Sequence, residues 1–320
     1  MLKIFLKLQN ELASSKNDGV LPTRARIESF ARRATNCYKV YSIPKRTSGV
    51  RVIAHPSKEL KNYQRALISI LEQQLEPHSA SYAYQKGKSI KLNAQKHTKK
   101  KFLLKMDFND FFNSITPQIF LTELRYRRIF LSKAEEKLLI NLFFWNKTKS
   151  EDKKLVLSVG APSSPMLSNF IMYRFDELVS KYAKENSIVY TRYADDLTFS
   201  TNIKNVLFSV PEYIKGILRD LYQHYITIND SKTIFTSMAH NRHVTGITIT
   251  NNFELSIGRE RKRLISAMIH KFKIGVLNED DLCYLQGLLS FAINIEPNFI
   301  NRLSRKYGKE IVHVIRKGGL

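Results

Sequence analysis

The chain has 320 residues and carries 52 Lys and Arg against 28 Asp and Glu, a formal charge of +24. That excludes an acidic or neutral enzyme surface, and 43% hydrophobic residues with only 12 Gly and 9 Pro exclude a disordered or low-complexity chain. Two cysteines, Cys37 and Cys283, are too few for a disulfide framework or a Cys-based zinc site; they read as reduced core thiols of a cytoplasmic protein. No apolar run approaches the length of a membrane span, and Lys7 interrupts the apolar N-terminal stretch before it reaches signal-peptide length. So large a positive surplus implies a polyanionic partner, nucleic acid first and membrane surfaces second, and composition alone does not choose between them.

In chain order, periodicity predicts helices over 2–14 and 24–34, the second capped by Thr23. YKVYSI (38–43) and GVRVIA (49–54) alternate as strands around a turn in which Gly49 is free to take positive φ. Ser57 caps a helix to about 75, another helix spans 88–98, and KFLLKMD (101–107) is a strand running into a polar bend. Helices follow at 117–127 and 133–145, then one long helix after Pro165 with an apolar stripe through Leu167, Phe170, Ile171, Phe175, Leu178 and Tyr182. Strands are predicted at 187–193 and 197–200, a helix at 204–224, strands at 226–235 and 243–250, and helices at 258–273, 279–293 and 298–307. The sum is an α+β fold with an antiparallel palm-like sheet and a helical C-terminus.

The basic charge is clustered. Eight lysines and no acid lie between Gln85 and Met106, and from Gly258 onward twelve Lys and Arg face six acids, with Arg259, Arg261, Lys262 and Arg263 nearly contiguous. Both runs are candidate phosphate-contact faces or solvated helix faces.

The sharpest anomaly is Tyr193-Ala194-Asp195-Asp196 between two strand patterns. A two-residue hairpin connection favours Asn-Gly or Gly-rich pairs, not adjacent carboxylates that repel each other. Asp107 ends another apolar strand. If the two strands are neighbours, three carboxylates meet and would suit two Mg²⁺ ions arranged for in-line phosphoryl transfer.

KMDFNDFF, GAPSSP, YTRYADDLTFS and NDSKT, in that order, resemble the successive motifs of reverse transcriptases, and NAQKH (93–97) and VTG (244–246) resemble signatures of the bacterial retron branch. The resemblance runs from about Tyr38 to Ile257. It implies a right-hand polymerase, with fingers at 1–100, palm at 101–116 and 158–256, a helical insertion at 117–157 and a thumb at 257–320. By the same resemblance Asp107, Asp195 and Asp196 hold the metals with help from the Phe108 carbonyl, and Lys232 protonates leaving pyrophosphate. Lys45 and Arg51 bind the dNTP triphosphate, Phe112 excludes the ribose 2′-OH, and Gly160 and Ala161 lie beneath the incoming base pair. Valine at 159 replaces the family's usual glutamine, which removes a hydrogen-bonding side chain there. Asn93, His97, Val244, Thr245 and Gly246, with Arg259, Arg261, Lys262, Arg263, Arg302, Arg305 and Lys306, are the implied RNA contacts; Tyr284 and Tyr307 either stack on RNA bases or pack in the core.

The implied activity is that of a retron enzyme: it binds a structured noncoding RNA, primes from the 2′-OH of an internal guanosine and makes branched multicopy single-stranded DNA (msDNA). Only 63 residues follow Ile257, so template trimming is expected from a host RNase H, and a role in anti-phage defence from a separate effector protein. Competing readings are a group II intron-like or diversity-generating reverse transcriptase, and a non-catalytic RNA-binding antitoxin scaffold.

Overall fold

A computed structural model describes residues 3–14, 21–44, 49–148, 152 and 154–317. The chain opens with helices α1 (Ile4–Ser14) and α2 (Arg24–Ala34), the hairpin β1 (Tyr38–Pro44) and β2 (Val50–Pro56), then α3 (Lys58–Leu71) and α4 (Ile90–His97). Strand β3 (Phe102–Asp107) leads to α5 (Phe111–Ser114), α6 (Pro117–Tyr126), α7 (Lys133–Phe143) and the two-residue strands β4 (Trp145–Asn146) and β5 (Leu155–Val156). Next come α8 (Ser164–Ile171), α9 (Tyr173–Glu185), β6 (Val189–Tyr193), β7 (Asp196–Thr201), α10 (Val210–Tyr222) and β8 (Ile234–Ser237). Strands β9 (Arg242–Val244), β10 (Ile247–Ile249) and β11 (Leu255–Ser256) precede α11 (Arg259–Lys273), α12 (Glu279–Ile295), α13 (Pro297–Tyr307) and α14 (Lys309–Lys317).

Local chemistry sets several of these boundaries. The Thr23 hydroxyl accepts from the Arg26 amide and Ser57 from Leu60, each satisfying an orphan donor of a first helical turn. Ser132 and Glu135 form a reciprocal capping box on α7.

The central sheet is antiparallel with strand order β6-β7-β3-β8. Alternation along β3 sends Leu104 and Met106 into the larger core, built with α8, α9 and α10, and Leu103 into a second core with Ala94 of α4, the β9–β10 hairpin and the C-terminal helices. The sheet is thus buried on both faces.

Several expectations give way to tertiary detail. The helix predicted across 165–182 is two helices, broken at Met172, where ψ is 3°. Of the strand predicted at 226–235, only 234 and 235 are in a strand, the start of β8; Ile228 makes a single bridge to Phe108, and 230–232 is a 3₁₀ turn. The 243–250 segment is a hairpin, because Thr245 and Gly246 take φ of +47° and +77° and turn the chain back. The 204–224 segment starts as a 3₁₀ turn at Val206–Ser209, and α14 was not foreseen. Cys283 is exposed and Cys37 half-buried, so neither is a core thiol. No helix among the described residues is long and apolar enough to cross a membrane.

Candidate active site

Register brings the acids together. Asp107 is the last residue of β3 and pairs directly with Asp196, the first of β7. The Phe108 amide donates to the Asp195 carbonyl at 3.2 Å, and the Asn229 amide to the Asp107 carbonyl at 2.8 Å, so the ends of three chain segments are stitched at one point. Tyr193 pairs with Asp196 across a two-residue turn whose first residue, Ala194, has φ of +57°. Favoured hairpin turns require positive φ there, and here alanine takes it at a cost of roughly 1 kcal/mol.

The strain is held from below. The guanidinium of Arg192, wholly buried, donates through Nη1 to the Ala194 carbonyl at 3.1 Å and grips Asp176 with Nε and Nη2 at 2.9 and 2.7 Å. Tyr190 Oη donates to the same carboxylate at 2.7 Å. Asn169 accepts from Arg192 and from Ser81 Oγ at 3.2 and 2.8 Å, and donates to the Ala83 carbonyl at 2.8 Å. Sequence reasoning missed this network. A cation on the inward-facing side of strand 189–193, in step with Tyr190, was the available signal, since a buried arginine demands an acid.

The three carboxyls feel one another's charge, yet among the described residues no three acidic, His or Cys side chains are already drawn into a metal-holding group. Burial first, then the charges of Asp195 and Asp107, push the Asp196 carboxyl up to about 6. Burial and Asp107 likewise raise Asp195, opposed by Lys232 and Arg51. Lys232 Nζ donates to Asp107 Oδ1 at 2.7 Å, and that hydrogen bond raises the ammonium above the usual lysine range. Crowded hard oxygen donors whose mutual repulsion resists ionisation suit a divalent cation.

Around the acids, Arg51 lies exposed on β2 and its charge reaches Asp195. Lys45 lies outside the described residues. Phe111 is buried, whereas Phe112 is half-buried against the main core. Gly160 has φ of +117°, and a Cβ there would come within 3.2 Å of Ile53 Cγ2. The Ala54 amide donates to the Val159 carbonyl at 3.2 Å, and Ser158 Oγ donates to the Ala54 carbonyl, so this loop is sewn to the β1–β2 hairpin. Ala161 is buried beside it.

The expected RNA contacts divide. Asn93, His97 and Val244 are wholly buried, which corrects their assignment to an RNA-facing surface. His97 instead bridges Ser200 Oγ and Thr191 Oγ1 at 2.7 and 2.8 Å. Thr245 Oγ1 donates to the Ile90 carbonyl at 3.3 Å, so the NAQKH helix and the VTG hairpin pack on each other; Gly246 is exposed. Lys262 and Arg302 both bind Glu296 Oε1, at 2.7 and 2.8 Å, and Arg261 Nη1 donates to the Gly246 carbonyl at 2.7 Å. Those three brace the C-terminal helices, while Arg259, Arg263, Arg305 and Lys306 stay exposed. Tyr284 is exposed and Tyr307 is half-buried, its hydroxyl donating to the Ser266 carbonyl.

Residues 43–249 match the reverse transcriptase (RNA-dependent DNA polymerase) family. The chain is 49% identical over 287 residues to the retron Ec83 reverse transcriptase of Escherichia coli, covering 90% of this chain and 92% of that protein. The chain belongs to the bacterial retron reverse transcriptases. It is also 33% identical to the retron Ec73 enzyme and 31% to the retron Ec86 enzyme of the same organism, over 85% of this chain in each case and 88% and 83% of theirs. As a retron reverse transcriptase it is an RNA-directed DNA polymerase with the right-hand polymerase fold, in a family that uses divalent metal ions.

Proposed function

We propose that this enzyme binds a structured noncoding RNA, primes from the 2′-OH of an internal guanosine and synthesises branched msDNA by two-metal nucleotidyl transfer. The observation that carries the chemistry is the direct pairing of Asp107 with Asp196, with Asp195 on the adjoining turn. Asp107, Asp195 and Asp196, with the Phe108 carbonyl, would hold two Mg²⁺ ions, which when bound lower the pKa of the attacking hydroxyl and neutralise the leaving pyrophosphate. Arg51, with Lys45, draws the dNTP triphosphate toward the acids, an Arg fork matching phosphate oxygens bidentately. Lys232 keeps a proton on Nζ for the leaving group. Phe112 fills the space a ribose 2′-OH would need, and Gly160 and Ala161 support the nascent base pair.

The fingers comprise the N-terminal helices and β1–β2, the palm the central sheet, and the thumb α11–α14. Exposed Arg259, Arg263, Arg305 and Lys306 on the thumb meet RNA phosphates, read by backbone and shape. Thr245 and Gly246 at the hairpin tip lie on the same RNA path. Trimming of the template by a host RNase H and restraint of a separate effector in anti-phage defence complete the proposed role.

The test is to incubate the purified protein with the RNA encoded beside its gene, Mg²⁺ and labelled dNTPs. The expected product is DNA covalently joined to RNA, released from its branch by a debranching enzyme, and absent for Asp195→Ala plus Asp196→Ala. DNA made without a 2′ branch would reject the priming step, and equal product from the double variant would reject the catalytic assignment.

A further inference from the structure

Tyr84 stands beside the catalytic turn in a backbone conformation its side chain disfavours, with φ of +60° and 53% of the residue exposed. Its loop is not loose. Ser81 bridges Arg192 in parallel, the Tyr82 amide donates to the Arg192 carbonyl at 2.7 Å, and the Arg192 amide donates to the Ala80 carbonyl at 2.9 Å. Asn169 Nδ2 holds the Ala83 carbonyl at 2.8 Å, and Gln85 Nε2 the Ser81 carbonyl at 3.0 Å. Because the two segments run the same way, Tyr84 lies as far beyond Ser81 as Asp195 lies beyond Arg192. The phenol is raised mainly by partial burial and also feels Asp195, Tyr193 and Arg51.

Among the described residues the Tyr84 hydroxyl has no hydrogen-bond partner and its ring stacks on no other ring. Strained residues cluster at ligand sites, and here the loop's hydrogen bonds hold a half-exposed aromatic against its backbone preference while its own hydroxyl has no protein partner among the described residues. Arg51 and the acids serve the phosphates and the reacting hydroxyl, and Gly160 and Ala161, proposed to support the base pair, have no ring on which a base could stack.

We propose that Tyr84 is the stacking platform for a nucleobase in the catalytic cleft, supplied either by the template strand or by the incoming dNTP. The inference rests on the polymerase reading of the acid cluster. Base–aromatic stacking accepts any base, because every base presents a π-face, as a template-copying enzyme requires.

The experiment compares the full chain with Tyr84→Phe, Tyr84→Asn and Tyr84→Leu on poly(rA)/oligo(dT). It measures primer–template Kd by anisotropy without nucleotide, KM for dTTP, and Tm. Asparagine tolerates positive φ, so its Tm should hold or rise; leucine removes the ring while keeping apolar bulk. Both should weaken one binding constant by about 5-fold or more, while phenylalanine matches the wild type. A weaker Kd with unchanged KM identifies the template base, and a raised KM with unchanged Kd the incoming one. If asparagine and leucine leave both constants within about twofold, or if phenylalanine loses as much as asparagine, the platform is refuted. Failure of the wild type to extend the primer would strike the polymerase reading instead, and the anisotropy arm would still judge Tyr84.

Discussion

Phe111 and Phe112 show how neighbours in sequence take different work. Their rings lie 5.5 Å apart, yet Phe111 is buried in the main core while Phe112 is only half-buried against it. Phe112→Ala is therefore expected to raise ribonucleotide use relative to dNTP by about tenfold, measured as the ratio of kcat/KM in single-nucleotide extension. The partial burial also implies a loss of about 1–2 kcal/mol in urea unfolding. An unchanged ratio would leave Phe112 as packing alone. Asp176 makes the opposite case, a wholly buried residue that holds Arg192, which in turn donates to the Ala194 carbonyl of the acid-bearing turn. Replacing it by Asn leaves the buried Arg192 cation without its counter-charge, which costs about 3–5 kcal/mol. Denaturant unfolding should show that loss.

At the scale of elements, the β1–β2 hairpin and the loop before α8 work as one body. Two hydrogen bonds from and to Ala54 join them, and Gly160 lets the chains approach. Gly160→Ala must place an L side chain at φ of +117° and is expected to cost about 1–3 kcal/mol. The accompanying shift of the hairpin should raise KM for dNTP more than it lowers kcat, because Arg51 rides on β2. Steady-state kinetics beside a Tm measurement checks both, and a variant with wild-type Tm would show that the backbone relaxes there. The VTG hairpin follows similar logic, with strain at Thr245 held by the Ile90 carbonyl of the NAQKH helix.

Across the whole molecule, the sheet ties its two cores together, and His97 is one of the pins. Burial, helped by the charges of Lys100 and Lys96, lowers its imidazole from 6.5 to about 3, so it is neutral between the Ser200 and Thr191 hydroxyls. Below pH 6.5 the unfolded chain takes up a proton that the folded chain refuses. Stability from this group therefore falls as pH falls, by about 2 kcal/mol near pH ~5. His97→Gln, which can still serve both hydroxyls, should flatten the Tm-against-pH curve between 6.5 and the acid limit. A curve as steep as the wild type's would assign the acid sensitivity elsewhere.

The residues of the candidate site could be named without coordinates, because they stand in short, ordered stretches of distinctive residue type. Asp107 at a strand end and the adjacent acids at 195 and 196 are local patterns, and the helix starts at Thr23 and Ser57 follow from side chains reaching their own backbone; Lys232 was singled out by its motif, but its segment reads as strand and folds as a 3₁₀ turn. Burial and pairing are different, since they arise between positions distant along the chain. Asn93 and His97 share a helix face by spacing, but only packing against β6 and β7 decides that this face points inward. Lys262 and Arg302 read as free phosphate ligands until Glu296 folds back between them. The Arg192–Asp176 clamp and the parallel bridge that sets Tyr84 beside the acids likewise exist only once α8, α9, β6 and the loop before α4 have met.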